Sequence, residues 1–591
     1  MNTRHGDDYP MGGILRPELL FGAVSLVSIR TVGVNLFEAG RPTGSHFSGA
    51  RYGRGEVGEF VLIEGQQHLV LGRIVEIRLR EQDRSIITRD FSGSENLEAL
   101  GTVLLLGTVR THDLKVTAGV VAYPRLGDRV YAASHDFIAR IPELMEKDGS
   151  VPSTVNLDLG TIGASRQAAV SLNPEILFGR HCAILGATGS GKSWTIARII
   201  EECLRHRSKM LLIDATGEYA SLDDSSIAHC HLGTPVVEAR VSKKVRLSPE
   251  CFNETDFIAL FEPAGKVQGP KLREAIRSLR LAQLRPDLAT DGVIKKIGQS
   301  KAKYEEAIKD PDVACKLDDP AQPFDYEKLP AQLEQECAYP SERTGGLNDP
   351  SKWGSLDEGT FGYCYPLIIR IHAVLSSQAL KCVFDASEDV PRLTDRIDEF
   401  LSNDQSKMLR ICLSGVSYEY KAREIVANAV GRYLLDKARG GYFKNRPLVI
   451  IVDEAHNFLG RHIGSEETIA KLDAFELIAR EGRKYGLNIC LASQRPRDVT
   501  EGILSQMGVL IVHRITNDRD REVVERACGE IDQSVSGLLP NLLPGQAVII
   551  GTGFPIPLTI QIQEPAAKPK FAGPSYLKNW ARQHVLGAGG S

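Results

Sequence analysis

His181-Cys-Ala-Ile-Leu-Gly-Ala-Thr-Gly-Ser-Gly-Lys-Ser-Trp-Thr195 decides the fold. A short apolar run leads into Gly186-x-x-x-x-Gly191-Lys192-Ser193, and a helix-forming segment follows. That order suits a phosphate-binding loop. Glycines let the backbone curl so that successive N–H groups point at the β- and γ-phosphates, and the following helix offers the positive end of its dipole to the same anion. Gly186, Ala187, Thr188, Gly189, Ser190, Gly191, Lys192, Ser193 and Trp194 are therefore the expected nucleotide contacts. Lys192 would reach the β/γ-phosphates as a compact charge, and the Ser193 hydroxyl would ligate Mg²⁺.

From Arg180 onward the chain alternates apolar strands with helices, the texture of a parallel sheet covered on both faces. Cys182–Leu185, Met210–Ile213, Leu409–Leu413, Leu448–Val452, Leu487–Leu491, Val509–Val512, Ala547–Ile550 and Leu558–Ile562 read as its strands. Between residues 251 and 390 the pattern turns charged and helix-prone, as in Lys271–Leu284 and Glu327–Cys337. We expect an inserted helical subdomain there. Upstream, Ala23–Val32, Phe60–Ile63, Arg73–Leu79, Val103–Val109, Leu114–Val121 and Arg129–Ala133 are short, β-branched and broken by turn residues, which predicts a small barrel or sandwich. The expected layout is a tail at 1–21, a β-barrel at 22–172, an α/β core at 173–250 and 391–564, the helical insertion at 251–390 and an extension at 565–591.

Three strand ends carry acids or amides. Pro447-Leu-Val-Ile-Ile-Val-Asp453-Glu454-Ala-His456 ends a buried strand in two carboxylates. Asp453 is expected to hold Mg²⁺, and Glu454 to orient and deprotonate the attacking water. His456 either senses nucleotide state or caps the next turn. Asp214, closing Met210-Leu-Leu-Ile-Asp214, is a further metal or water candidate, with Glu218 either a cross-interface group or a turn residue. Gln494, after Leu487-Asn-Ile-Cys-Leu-Ala-Ser493, could bond both a γ-phosphate oxygen and the lytic water, or be an ordinary loop residue. Arg480 and Arg483 share one helical face and could act catalytically across a subunit boundary, or simply favour the helix end that Gly486 marks. Arg180 is a weaker candidate for that role. Arg461 and His462 are candidate pore-loop residues or a solvated loop.

Composition narrows the rest. A chain of 591 residues exceeds one core, and domain-size statistics suggest about three or four units. Net charge is −4, so no global basic field advertises nucleic acid. Eleven cysteines lie singly, without a C-x-x-C pair, which indicates neither a zinc knuckle nor a disulfide framework and fits a reducing cytoplasm. No segment approaches the roughly eighteen apolar residues of a membrane helix, and the N-terminus lacks a signal-peptide layout.

Taken in order, Gly186–Ser193, Asp214-Ala-Thr-Gly-Glu-Tyr219, Asp453-Glu-Ala-His456, Ala479-Arg-Glu-Gly-Arg-Lys-Tyr-Gly486, Ser493-Gln-Arg-Pro496, Arg514-Ile-Thr-Asn517 and Leu543-Pro-Gly-Gln-Ala547 resemble the HerA/FtsK branch of P-loop ATPases, HerA specifically. The resemblance spans about residues 20 to 565 and departs at Ala215-Thr216, where the family more often has Pro-His. It implies a RecA-like α/β domain behind an N-terminal β-barrel, a homo-hexameric ring, and ATP hydrolysis between subunits driving double-stranded DNA through the pore. It also implies a nuclease or sirtuin-like effector as partner: archaeal relatives work with a nuclease in DNA-end resection, and bacterial relatives often sit in antiviral systems. The other function this leaves open is an ATP-regulated hexameric scaffold that assembles and activates an effector enzyme.

Overall fold

The computed structural model describes residues 14–37, 45–47, 50–53, 55–79, 99–145, 155–162, 168–235, 239–319, 322–344, 347–384, 389–459, 462–463, 470–528, 533–570 and 580. The protein is α/β. In chain order its N-terminal strands are β1 (Leu20–Val27), β2 (Thr31–Leu36), β3 (Phe60–Glu64), β4 (His68–Leu79), β5 (Ala99–Arg110), β6 (Val116–Ala118) and β7 (Arg129–Ala132). They run β2-β1-β7-β3-β4-β5, and β2 pairs back onto β5, closing a six-strand antiparallel barrel with β6 added beside β5. Closure leaves no free edge among the six. Alternation does the packing: along β2 every second residue, Val32, Val34 and Leu36, is buried against Val61, Ile63, Val70 and Val103.

The predicted strand Ala23–Val32 is two strands. Ser28 turns the chain, its N–H and hydroxyl both donating to the Thr31 carbonyl at 2.9 and 2.8 Å, and Ile29 at the tip is 80% exposed. Apolar alternation carried across this turn without a Gly or Pro to mark it.

After the barrel come β8 (Leu157–Ile162), β9 (Ala169–Leu172), β10 (Cys182–Leu185), α1 (Lys192–Leu204), β11 (Met210–Asp214), β12 (Ile227–Gly233) and β13 (Ser242–Lys244). The helical stretch contains α2 (Glu254–Phe261), α3 (Gly265–Leu284), α4 (Ala302–Lys309), α5 (Pro311–Leu317), α6 (Leu329–Gln335) and α7 (Glu358–Leu375). Then follow α8 (Leu393–Ser402), β14 (Met408–Gly415), α9 (Ala422–Arg439), β15 (Leu448–Val452), α10 (Ala474–Glu481), β16 (Leu487–Ser493), β17 (Val509–Val512), α11 (Asp518–Ala527), β18 (Gln546–Gly551) and β19 (Phe554–Ile562).

The chain divides into two compact units: residues 1–208, 454–456 and 478–566, and residues 209–453, 457–477 and 567–591. In the first unit, strands beyond the barrel run β9-β8-β19-β18-β17-β10-β16. β10 lies parallel to β16 and β17 and is wholly buried, and antiparallel strands extend the sheet from β17 outward. Here one expectation is corrected. Strands β8 and β9, which the expected bounds 22–172 put with the barrel, belong instead to this sheet: β9 pairs with β8, and β8 hydrogen-bonds to β19 with Gly160 opposite Ile562. The close approach demands glycine, since a Cβ on Gly160 would stand 2.1 Å from the Gln561 carbonyl oxygen.

The second unit holds a fully parallel sheet in the order β15-β11-β14-β12-β13. β11 and nearly all of β14 are buried on both faces, as an all-parallel strand must be. α2 begins with a complete capping box between Asn253 and Asp256. Asp256 then pairs with Arg432 and Asn428 of α9, so the first helix after residue 250 packs on a helix of the sheet layer. Pro270 sits inside α3, in its second turn, and withholds one N–H from the helix ladder there. Strand β12 was not anticipated: His229 and His231 interrupt its apolar run. Among the described residues no single helix is long and apolar enough to cross a membrane. Arg461 lies outside the described residues, and His462 falls in a two-residue bridge strand.

Candidate active site

Three glycines shape the loop that follows β10. Gly186, Gly189 and Gly191 have φ of +158°, +73° and +117°. Two of them also sit under steric ceilings: a Cβ on Gly186 would meet His513 Cβ at 2.6 Å, and one on Gly191 would meet Gly545 Cα at 3.1 Å. Helix α1 starts at Gly191 with no side-chain cap, which leaves its first N–H groups to an anion. Lys192 is only 6% exposed, and its ammonium donates to the Ala187 carbonyl at 3.0 Å, folded back across the loop it serves.

A chain of side chains leaves this loop. The Thr188 hydroxyl donates to Gln494 Oε1, and Gln494 Nε2 donates to Glu454 Oε1. The other Glu454 oxygen is buried and accepts no hydrogen bond among the described residues, with His456 Nδ1 3.3 Å away. His456 Nδ1 in turn lies 3.4 Å from the Ser493 hydroxyl. All of these residues belong to the first unit. Glu454 has φ +49°, a left-handed conformation uncommon for a non-glycine residue and concentrated at functional sites. An acid and an amide thus stand bonded to each other and to the loop.

The Ser193 hydroxyl, at the first turn of α1, is an oxygen ligand of the kind Mg²⁺ prefers.

Residues 157–328 match the family described as Helicase HerA, central domain. The DNA double-strand break repair helicase HerA of Sulfolobus acidocaldarius is 27% identical over 71% of this chain and 72% of its own length. That of Pyrococcus furiosus is 24% identical over 85% and 87%. The chain is similar to HerA helicases over most of its length. Among solved structures, VirB4 of Thermoanaerobacter pseudethanolicus aligns at 15% identity with a TM-score of 0.43, covering 71% of this chain and 99% of that one. The central-domain match opens at residue 157, where β8 leaves the barrel, and runs into the helices after residue 250.

Elsewhere in the chain the expected site residues divide. Arg480 and Arg483 are exposed in the first unit, with Arg480 near Gly502 and Arg483 near His181, whose pKa is lowered to about 4 by burial first and by that guanidinium as a lesser cause. Arg180 is exposed too, its carbonyl accepting from Gly508 N–H at 2.8 Å. Asp453 is 4% exposed and its N–H donates to the Ile213 carbonyl in the second unit. Asp214 is fully buried there. It takes two bonds from Arg410, at 2.8 Å from both Nε and Nη2, and accepts from the N–H groups of Gly217 and Tyr219 at 2.7 and 3.2 Å. Its contacts tie the 214–219 turn to β14. That leaves its carboxylate committed to protein donors rather than to a metal or water.

Sequence reading missed His513. It is fully buried beneath the loop, its ring accepting or donating to Thr195 Oγ1 (Nε2, 2.8 Å) and donating from Nδ1 to the Gln546 carbonyl (2.8 Å). A carbonyl only accepts, so the proton sits on Nδ1, and Nε2 accepts from Thr195. The signal was there: a histidine directly after the apolar run Val509–Val512, at the end of a buried strand. Burial lowers its pKa from 6.5 to about 4.

The unfolded chain therefore binds the extra proton between about pH 6.5 and 4, and stability present at neutral pH drains away as pH falls through that window. On moving from pH 7 to 4.5, the parent should lose roughly 2 kcal/mol more than His513→Gln in denaturant unfolding. Equal losses would show that His513 is not held neutral.

Proposed function

We propose that this chain is the subunit of a homo-hexameric ring that hydrolyses ATP and moves double-stranded DNA. The observation that carries the ATP-hydrolysis part of this reading is the bonded series Thr188–Gln494–Glu454, which links the phosphate loop to a buried carboxylate through an amide. Lys192 and the N–H groups of residues 186–194 bind the triphosphate, and Ser193 would hold Mg²⁺. When bound, Mg²⁺ offsets negative charge on the phosphates. Glu454 holds the attacking water and accepts its proton. Gln494 fixes the Glu454 carboxylate and registers at Thr188 whether the loop is filled. Arg480 or Arg483, with Arg180 as the alternate, supplies charge to the neighbouring subunit's site. Asp214 holds its turn. Relatives named DNA double-strand break repair helicase support DNA as the substrate, and a nuclease or sirtuin-like effector completes the system.

Duplex DNA should raise ATP hydrolysis several-fold, and the stimulation should fade between about 50 and 200 mM salt, with DNA affinity falling about tenfold or more as the entropy gained from counterion release shrinks. Steady-state hydrolysis with and without duplex reads this directly. A rate indifferent to DNA, in rings that nonetheless activate a partner enzyme, would replace the translocase reading with that of an ATP-regulated scaffold.

Sharing of the site between subunits has its own test. Rings mixed from Lys192→Ala and Arg483→Ala (or Arg480→Ala) subunits should regain hydrolysis that neither parent has, because some interfaces then pair an intact loop with an intact arginine. Mixed rings no better than either parent remove the arginine from a role in trans.

A further inference from the structure

The second unit carries a cavity of about 440 Å³ that none of the residues from 186 to 194 lines. It opens where three neighbouring parallel strands end: Gly233 closes β12, Lys244 closes β13 and Gly415 closes β14. The carboxyl edge of such a sheet is where open α/β folds take their ligands. Two of the lining turns are pressed together main chain to main chain. A Cβ on Gly233, at φ +68°, would stand 2.2 Å from the Gly415 carbonyl oxygen, and one on Gly415 would stand 2.5 Å from the carbonyl carbon of Thr234. No side chain can grow in to fill that floor.

The charge of the lining is one-sided. Lys244, Arg246, Lys381 and Arg423 face a single carboxylate, Glu419. Arg423 is spent on structure, donating to the carbonyls of Val416, Ala215 (3.1 Å) and Ser414 (2.9 Å) with Tyr418 stacked 3.9 Å away. Arg246 donates to the Val390 carbonyl at 3.2 Å. Among the described residues no carboxylate pairs with Lys244, Arg246 or Lys381. Thr234 and Ser417 add hydroxyls, while Val245 and Val416, each 1% exposed, form an apolar wall.

We propose that this cavity is a second anion site that binds a small ligand through an oligophosphate group. Converging cations in a concave, partly apolar recess suit a compact polyanion, whereas a duplex presents its phosphates on a convex surface.

The test titrates tripolyphosphate into the full-length Lys192→Ala protein by calorimetry, so that the phosphate loop's own lysine is absent. One site per chain is expected, weakened at least about tenfold by Lys244→Ala and again by Lys381→Ala. Both lysines are exposed, so the variants keep their fold, which thermal melting verifies. ADP serves as the second probe. Binding equal to tripolyphosphate means the phosphates alone are read, and tighter binding means the nucleoside is read too; either sustains the proposal. Absence of saturable binding, or binding untouched by both lysine substitutions, overturns it. So does duplex DNA that displaces tripolyphosphate through the same lysines, because the cavity would then belong to a DNA track.

Discussion

Glu454→Gln should bind ATP as tightly as the parent and hydrolyse it about 10²–10⁴-fold more slowly. The substitution preserves shape and keeps an oxygen for Gln494 Nε2 to donate to, so the bonded series to Thr188 survives. What it removes is the ability to take a proton. The amide nitrogen would also replace one carboxylate oxygen, in a pocket where the free Glu454 oxygen is buried without a hydrogen-bond partner among the described residues. Single-turnover hydrolysis alongside equilibrium binding of a fluorescent ATP analogue separates the two effects. Turnover at the parental rate would take Glu454 out of the water-activating role and leave its left-handed backbone, at φ +49°, without a purpose.

Lys192→Ala acts one step earlier. In the protein this ammonium is almost wholly buried and bonded to the Ala187 carbonyl at 3.0 Å, so it is already delivered to the loop before any ligand arrives. Replacing it deletes charge-assisted bonds to phosphate oxygens, each worth about 1.5–3 kcal/mol. Loss of two such bonds weakens nucleotide binding by roughly 10²–10⁴-fold and extinguishes turnover. Equilibrium binding and steady-state hydrolysis measure both. Retained activity would mean the triphosphate sits elsewhere in the chain.

Gly186-x-x-x-x-Gly-Lys-Ser193 was legible because its chemistry is local. The spacing, the positive φ of its glycines and the uncapped start of α1 all lie within one turn of chain. Buried parallel strands were legible for the same reason, since a strand covered on both faces must be apolar throughout, as Cys182–Leu185 and Val509–Val512 are. The acid at Glu454 could be named from its strand end, and Gln494 from its own.

Pairings across hundreds of residues were not legible. Nothing in Leu157–Ile162 says that it will extend the sheet through Phe554–Ile562 rather than close the barrel before it, because both offers are antiparallel edges for the same alternating side chains. His513 drew no reading from the sequence, because only folding brings it under Gly186 and Gly191, where a neutral ring bonded on both nitrogens is tolerated. Asp214 read as a metal ligand from its strand end, yet the fold set Arg410 of the neighbouring strand against it. Sequence by itself determined which chemistry the chain carries and where its loops and buried strands fall, since those depend on residues a few positions apart. Tertiary structure decided which acids are left for chemistry, because a carboxylate's fate rests on the partner that packing brings to it.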